Sequence, residues 1–171
     1  MEIAIRQATS EDRYELLDLV GRSQLATGIP PLEMYPANQL ESFLYHSRVY
    51  EKHRYVAISE SLGKIVGHAV IERPNPIHVP LWIEGLGIGN DNNLAELGGA
   101  FVDPSILRQG IWTKLLDFRL EVIRDQLNAS IVTSTWSRNT HVKDELVKRG
   151  AQYVCTDEVH GQQLDLFVFP T

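Results

Sequence analysis

The sequence has a single cysteine, Cys155. No disulfide can therefore form within the chain, and no cysteine-based zinc framework can be built. No apolar run approaches the ~20 residues that a membrane-spanning helix needs, so no membrane partner is expected. The six histidines (His46, His53, His68, His78, His141 and His160) never fall into H-x-x-x-H or H-E-x-x-H spacing, and we expect no metal. No serine or cysteine sits in a nucleophile elbow such as G-x-S-x-G. Basic residues are the minority, 16 Lys and Arg against 22 Asp and Glu, for a net charge of −6. A non-specific nucleic-acid binder usually shows the opposite balance, so nucleic acid is not expected as a partner. An acidic surface suits a cationic partner, through steering rather than fold. The opening MEIAIRQATSEDR lacks the charged-then-apolar layout of a secretory signal, and we expect a soluble, cytoplasmic protein. Internal repeats and low-complexity stretches are absent.

What is present fits one folded unit. The 171 residues and 19.4 kDa are the size of a single domain spanning 1–171, and 43% hydrophobic with 22% charged residues is close to the globular average. Ile3 and Ile5 alternate with Ala4 and Arg6 in a first strand. Thr9 and Ser10 stand at a helix N-cap, with Glu11 and Asp12 where the helix dipole favours acids. Leu16, Leu17 and Val20 make the apolar face of that helix, and Gly21 is its expected stop. Residues 28–36, with Gly28, Pro30, Pro31 and Pro36, read as a loop; Leu40, Phe43, Leu44 and Val49 suggest a second helix. Tyr55 to Ser59 and Ile65 to Ile71 form a hairpin around Leu62-Gly63. Residues 73–93, with three prolines and three glycines, are mostly irregular, and such a segment is usually functional or mobile. His78 and Trp82 within it either line a substrate mouth or anchor a packed loop.

Leu94 to Val102 is a strand ended by Pro104. Ile111 to Leu127 is the strongest helix, with Trp112, Leu116, Leu120, Ile123 and Leu127 at intervals of 4, 4, 3 and 4. Ser130 to Trp136 is β-prone throughout, as an interior strand is. Asn139 caps a helix that Gly150 closes, and Tyr153 to Thr156 with Leu164 to Phe169 make a final strand pair. The order β-α-α-β-β-β-α-β-α-β-β is neither strict βαβ alternation nor all-β. It predicts an α/β (α+β) fold with a mixed central sheet of about six to seven strands and helices on both faces.

The chemistry concentrates in Ala95 to Leu116, AELGGAFVDPSILRQGIWTKLL. A strand runs through a short polar turn and a glycine directly into a long helix. The free N–H groups and dipole of such a helix start suit phosphate. Gly110 lets a ligand approach the backbone, and Arg108 and Lys114 add positive charge. An ordinary strand-to-helix turn, with Gly110 serving chain geometry alone, is the competing explanation.

This stretch resembles the acyl-CoA-binding core of the GNAT superfamily of N-acetyltransferases, where a strand ending V-x-P precedes Q/R-x-x-G-x-G/A at a helix start. Here Val102-Asp103-Pro104 is followed by Leu107-Arg108-Gln109-Gly110-Ile111-Trp112 and Thr113-Lys114-Leu115-Leu116. Ile3 to Ala8 with Thr9 to Asp12, Ile65 to Ala69, and Asn139 to Val142 with Lys148 to Ala151 resemble the family's first strand and helix, third strand and last helix. The resemblance spans essentially the whole chain. Two departures stand out: Leu107 replaces the first Q/R, with Arg108 one place later, and Trp112 replaces the last small residue. A pyrophosphate held by backbone N–H groups tolerates both, provided the indole points into the core rather than across the phosphate site.

The resemblance implies acetyl-CoA (coenzyme A) as co-substrate. Its pyrophosphate would sit at Arg108, Gln109, Gly110, Ile111, Trp112 and Thr113. Its pantetheine would pair with the backbone of Ala100, Phe101 and Val102, where two strands splay apart, by β-addition. Asn139 matches a position that often contacts the cofactor, and a plain N-cap explains it equally well. The implied reaction is acetyl transfer to a primary amine, of a small molecule or a peptide, directly in a ternary complex. A lysine-like amine titrates near 10.4, so deprotonation at pH 7 costs roughly 4 kcal/mol and calls for a base. Glu96 is the candidate. Six residues before Val102, strand alternation puts it on the same face as Gly98, Ala100 and Val102, and some GNAT members carry a glutamate base at the matching position. The family's tyrosine acid is replaced by Leu146. A catalytically silent acyl-CoA sensor and a protein-interaction module on the same fold are the alternatives. A homodimer is left open.

Overall fold

The computed structural model describes residues 2–26, 50–74, 93–159 and 162–170. Strands β1 (Ile3–Gln7), β2 (Tyr50–Ser59), β3 (Lys64–Pro74), β4 (Leu94–Val102), β5 (Ser130–Trp136), β6 (Gln152–Val159) and β7 (Gln162–Phe169) form one sheet in the order β1-β2-β3-β4-β5-β7-β6. Neighbours are antiparallel except β4 and β5, which are parallel. Parallel strands need a crossover, and helix α2 (Ile111–Val122) supplies it. The other helices are α1 (Arg13–Ala26) and α3 (Thr140–Lys148).

Adjacent residues of β2 show how the sheet is covered. Successive strand side chains point to opposite faces. Val56 packs with Leu16 and Leu19 of α1, whereas Ala57 packs with Ile111 and Leu115 of α2. Leu146 of α3 joins Leu116, Leu120, Phe167 and Phe169 in the main core, so α2 and α3 share a face. Gly67 on β3 brings α2 close, since a Cβ there would lie 2.9 Å from Leu115 Cδ1. The expected mixed sheet with helices on both faces is present, and among the described residues no helix is long and apolar enough to cross a membrane.

Three local expectations need correction. Gly21 does not stop α1, which runs on to Ala26. Leu16, Leu19, Val20 and Ser23 are buried while Leu17 is only partly so, and burying one more turn outweighs the ~1 kcal/mol that a mid-helix glycine costs. The α-helical part of 111–127 ends at Val122, and Ile123–Leu127 is wound as a π turn. The hairpin strands are longer than the apolar runs that suggested them. The proposed loop at 28–36, the second helix at Leu40–Val49, and His78 and Trp82 lie outside the described residues. At the start of the chain Arg6 grips Asp12 through both guanidinium nitrogens at 2.7 Å, and Thr9 N donates to the same carboxylate at 2.7 Å. These bonds, Arg6 first, hold Asp12 down to about 2.

Candidate active site

The feature that organises the site is a break between two parallel strands. β4 and β5 pair only at Leu94–Ser130, Ala95–Ile131 and Glu96–Val132. β4 then continues to Val102 and β5 to Trp136 without further pairs. Immediately past the last pair, a side chain replaces the ladder: Thr133 Oγ1 donates to the Leu97 carbonyl at 3.1 Å. The strands splay as expected, and the backbone of Gly98 to Val102 borders the gap. Ala100, Phe101 and Val102 are all partly buried there.

Glycines cause a second irregularity in β4. Ala69 pairs with Ala100 but Ile71 pairs with Leu97, so Gly98 and Gly99 together face Val70 in a β-bulge. The bulge overturns one expectation. Leu97 lies on the α2 side, in the core with Ile71 and Leu116, and Ala100 and Val102 lie on that side with Ile111 and Leu115. Glu96 therefore shares its face with Phe101, not with Ala100 and Val102, because the extra residue reverses the alternation. On that opposite face, Phe101 stacks on His68 with ring centroids 6.3 Å apart. Glu96 pairs across the ladder with Glu72, whose carboxylate lies over Gly98: a Cβ on Gly98 would meet Glu72 Oε1 at 2.8 Å. A side chain at Gly98 would require Glu72 to shift from this position. Both acids thus sit at the closed end of the gap, across the sheet from α2.

Beneath the bulge lies Arg119, 2% exposed. Its Nη1 donates to the carbonyls of Gly98 (2.9 Å) and Val70 (3.1 Å), and its Nε to that of Leu115 (3.3 Å). Burial lowers its pKa to about 10, so it remains charged at neutral pH. Glu72 and Arg119 were both missed at the level of sequence. The signals available were Gly98-Gly99 inside a strand, which marks a bulge, and an arginine four residues after Leu115, on the apolar stripe of α2.

Beyond Val102 the chain is held by Asp103, which is fully buried. Its carboxylate accepts from Ser105 N (2.9 Å) and Oγ (2.7 Å), from Lys64 Nζ (3.1 Å) and from Arg22 Nη1 (3.0 Å). Burial would raise its pKa, but these four donors outweigh that and hold it well below the usual carboxylate range. The turn Pro104–Ile106 is thereby tied to β3 and α1. Leu107, Arg108, Gln109 and Gly110 follow, all exposed. Arg108 (φ 64°) and Gly110 (φ 72°) both adopt left-handed backbone. Arg108 bears a strain that glycine would avoid, while Gly110 has nothing within 4 Å of where a Cβ would be. The first helical bond is Lys114 N to Gly110 O, so by helix geometry the N–H groups of Ile111, Trp112 and Thr113 have no acceptor within the helix. Alternating backbone handedness before a helix start makes a concave set of N–H donors suited to an anion.

The Trp112 indole is partly buried against the core, with its ring centroid 6.5 Å from that of His141 on α3. It thus meets both the core and the start of α3. Asn139 caps α3, its side chain accepting from Val142 N at 3.3 Å. Because β4 and β5 are parallel, Ala100 to Val102, the 108–113 segment and Asn139 all lie at one end of the sheet, where such folds bind ligands. Nearby, Asp165 joins the end of β5 to α3 and β6, accepting from Ser137 Oγ (2.5 Å), Thr156 Oγ1 (2.7 Å) and Lys143 Nζ (2.9 Å). Burial opposes ionisation of Asp165, and the three donors overcome it, bringing the carboxyl to about 2. Among the described residues no group of three or more His, Cys, Asp or Glu is placed to hold a metal ion.

No curated protein matches this chain in sequence. Solved structures match its fold over nearly its full length. The ribosomal-protein-S18-alanine N-acetyltransferase from Escherichia coli superposes with a TM-score of 0.70 at 14% identity, covering 99% of this chain and 94% of that one. A spermidine N-acetyltransferase SpeG chimera from Vibrio cholerae and hSSAT gives 0.69 at 15%, covering 99% and 95%. Arabidopsis thaliana NAA60, solved in complex with acetyl-CoA, gives 0.69 at 11%, covering 98% of each chain. The family model described as "Acetyltransferase (GNAT) family" matches residues 21–147, a stretch that contains both the splayed strands and the exposed turn ahead of α2, and on that match the chain belongs to the GNAT acetyltransferase family.

Proposed function

We propose that the protein is an N-acetyltransferase that moves an acetyl group from acetyl-CoA to a primary amine by direct transfer in a ternary complex. The observation that carries this reading is one juxtaposition: an exposed donor-rich turn opens onto the same end of the sheet as an unpaired stretch of β4. The residues fit such a co-substrate. Arg108, Gln109, Gly110, Ile111, Trp112 and Thr113 would hold the pyrophosphate, chiefly by backbone N–H groups. Ala100, Phe101 and Val102 would pair with the pantetheine amides along the open edge, and Asn139 borders the same end. When bound, acetyl-CoA supplies an activated thioester.

The acceptor enters from the face opposite α2, over Glu96. Glu96 takes the amine proton, directly or through water, removing most of the roughly 4 kcal/mol cost of deprotonating the amine at pH 7. The acceptor is read as an amine of a small molecule or peptide. Spermidine and a ribosomal-protein alanine, named for two of the structural neighbours, have the amino group in common.

A catalytically silent acyl-CoA sensor is the second reading. It is favoured by Leu146, which is 2% exposed in the core where the family's tyrosine acid would stand. One assay separates the two: amine-dependent release of coenzyme A thiol over a panel of amines. Transfer is expected, and Glu96→Gln should lower kcat on the order of 10²-fold while leaving coenzyme affinity unchanged. An unchanged rate removes Glu96 from the role, and thermal stabilisation by acetyl-CoA without turnover on any amine selects the sensor.

A further inference from the structure

We propose that Arg119 is a positioning residue for the transfer: it locks the Gly98–Gly99 peptide so that the Gly99 N–H faces the gap between β4 and β5, where it can donate to the acyl carbonyl. This rests on the acetyltransferase reading above.

The orientation follows from hydrogen bonds already described. The Leu97 carbonyl faces β5, because Thr133 Oγ1 donates to it. The next carbonyl along an extended strand faces the other way, and the Gly98 carbonyl does so, meeting Arg119 together with the Val70 carbonyl of β3. The peptide is trans, and in a trans peptide the N–H is antiparallel to the C=O. The Gly99 N–H therefore points away from Arg119 and β3, toward the side where β5 has diverged. Gly99 is exposed.

A lock is needed at this point. Rotation of a peptide is least hindered when both flanking residues are glycine, and the bulge has taken this one out of the regular ladder. Arg119 is also a costly way to satisfy two carbonyls. A fully buried cation whose partners among the described residues are main-chain oxygens forfeits much of its hydration, where leucine or methionine would pack on the apolar stripe without that loss. Its planar fork can hold carbonyls of two strands and of its own helix in fixed relation, which an ammonium cannot reproduce.

In the transfer, the amine nitrogen adds to the thioester carbon and forms the C–N bond. The C–S bond breaks, sulfur leaves as thiolate and takes up the proton that the new amide nitrogen sheds, and the proton that the ammonium first gave to Glu96 passes to solvent. Negative charge gathers on the carbonyl oxygen during addition, and a pre-oriented donor there lowers the barrier.

The test compares the full-length wild type with Arg119→Met and Arg119→Lys by three readouts: the 15N amide resonances of Gly98 and Gly99, the coenzyme A dissociation constant, and kcat for thiol release. In wild type the Gly99 amide should give one sharp resonance. In Arg119→Met it should broaden or double while the Gly110 and Ile111 amides stay in place, the dissociation constant should hold within about twofold, and kcat should fall on the order of 10- to 100-fold. Arg119→Lys, which keeps the charge with fewer donors, should recover part of the loss and carries the same readouts if the methionine variant does not fold. An unmoved Gly99 resonance, or a kcat that tracks the folded fraction or the coenzyme affinity, overturns the proposal. Wild type inactive on every amine would instead overturn the acetyltransferase reading, while the Gly99 resonance would still decide whether Arg119 is the lock.

Discussion

Replacing Gly110 separates backbone strain from ligand contact. The residue is in the left-handed region at φ 72°, and a Cβ there would touch nothing within 4 Å. Gly110→Ala therefore carries a conformational cost of roughly 1 kcal/mol and no clash. For a domain of this size each kcal/mol moves Tm by about 2–4 °C, and that is the expected drop. Gly110→Glu carries the same strain and adds a carboxylate at the start of α2, where the helix dipole returns about 0.3–1 kcal/mol, so the free Glu variant should melt at or slightly above the Ala variant. Ligand response should rank them differently. At a coenzyme A concentration 100 times its dissociation constant, wild type gains about 2.7 kcal/mol, or about 5–11 °C. Gly110→Ala should keep a clear shift. Gly110→Glu should lose it, its carboxylate occupying and repelling anions from the N–H groups of Ile111 to Thr113. Thermal melts with coenzyme A, acetyl-CoA and a nucleotide control read all of this. An equal coenzyme shift in Gly110→Glu and wild type would mean that this turn does not hold the pyrophosphate.

Two further predictions concern stability. Gly21→Ala should stabilise the fold by about 0.4–1 kcal/mol, because the glycine lies inside α1 without positive φ and with open space at its Cβ position; a Tm rise of about 1–4 °C is expected, and a fall would contradict the packing described. Asp12 and Asp165 are held near 2 against an ordinary 3.8, and Asp103 is also lowered. Their folded pKa values lie below the unfolded ones, so the stability they contribute is intact above about pH 5 and is lost as pH falls from 4 toward 2. The urea midpoint should stay level between pH 7 and 5 and drop by pH 3, and Asp165→Asn should shrink that drop.

Where side-chain spacing and local geometry agree, the fold was legible. The apolar interval of 111–127 located α2, Asn139 proved to be the cap of α3, and Val102-Asp103-Pro104 marked the strand end from which the exposed turn departs. The site was legible as a segment but not as a surface. Strict alternation along β4 put Glu96 beside Ala100, and one extra glycine reversed it, since a bulge alters facing without altering composition. Gly21 misled because a glycine reads alike as a helix stop and as a tolerated interior residue, and only burial of Ser23 in the following turn decides between them. Arg119 went unread because a charge on an apolar stripe is informative only once the carbonyls it meets, on two strands far apart in sequence, are known. Glu72 became visible only when the register set it opposite Glu96.

The parting of β4 and β5 also bears on how the molecule comes apart. Among the described residues, three pairs make up the main-chain ladder between a four-stranded half, β1 to β4, and a three-stranded half, β5 to β7. Among the described residues the Thr133 Oγ1 bond to the Leu97 carbonyl, the helix α2 and the apolar residues beneath it, drawn from both sides, also join the halves. Such a molecule has a built-in seam. On the proposed reading a ligand threaded along that seam would work as mortar, and the two half-sheets should then melt more nearly as one cooperative body when it is filled than when it is empty.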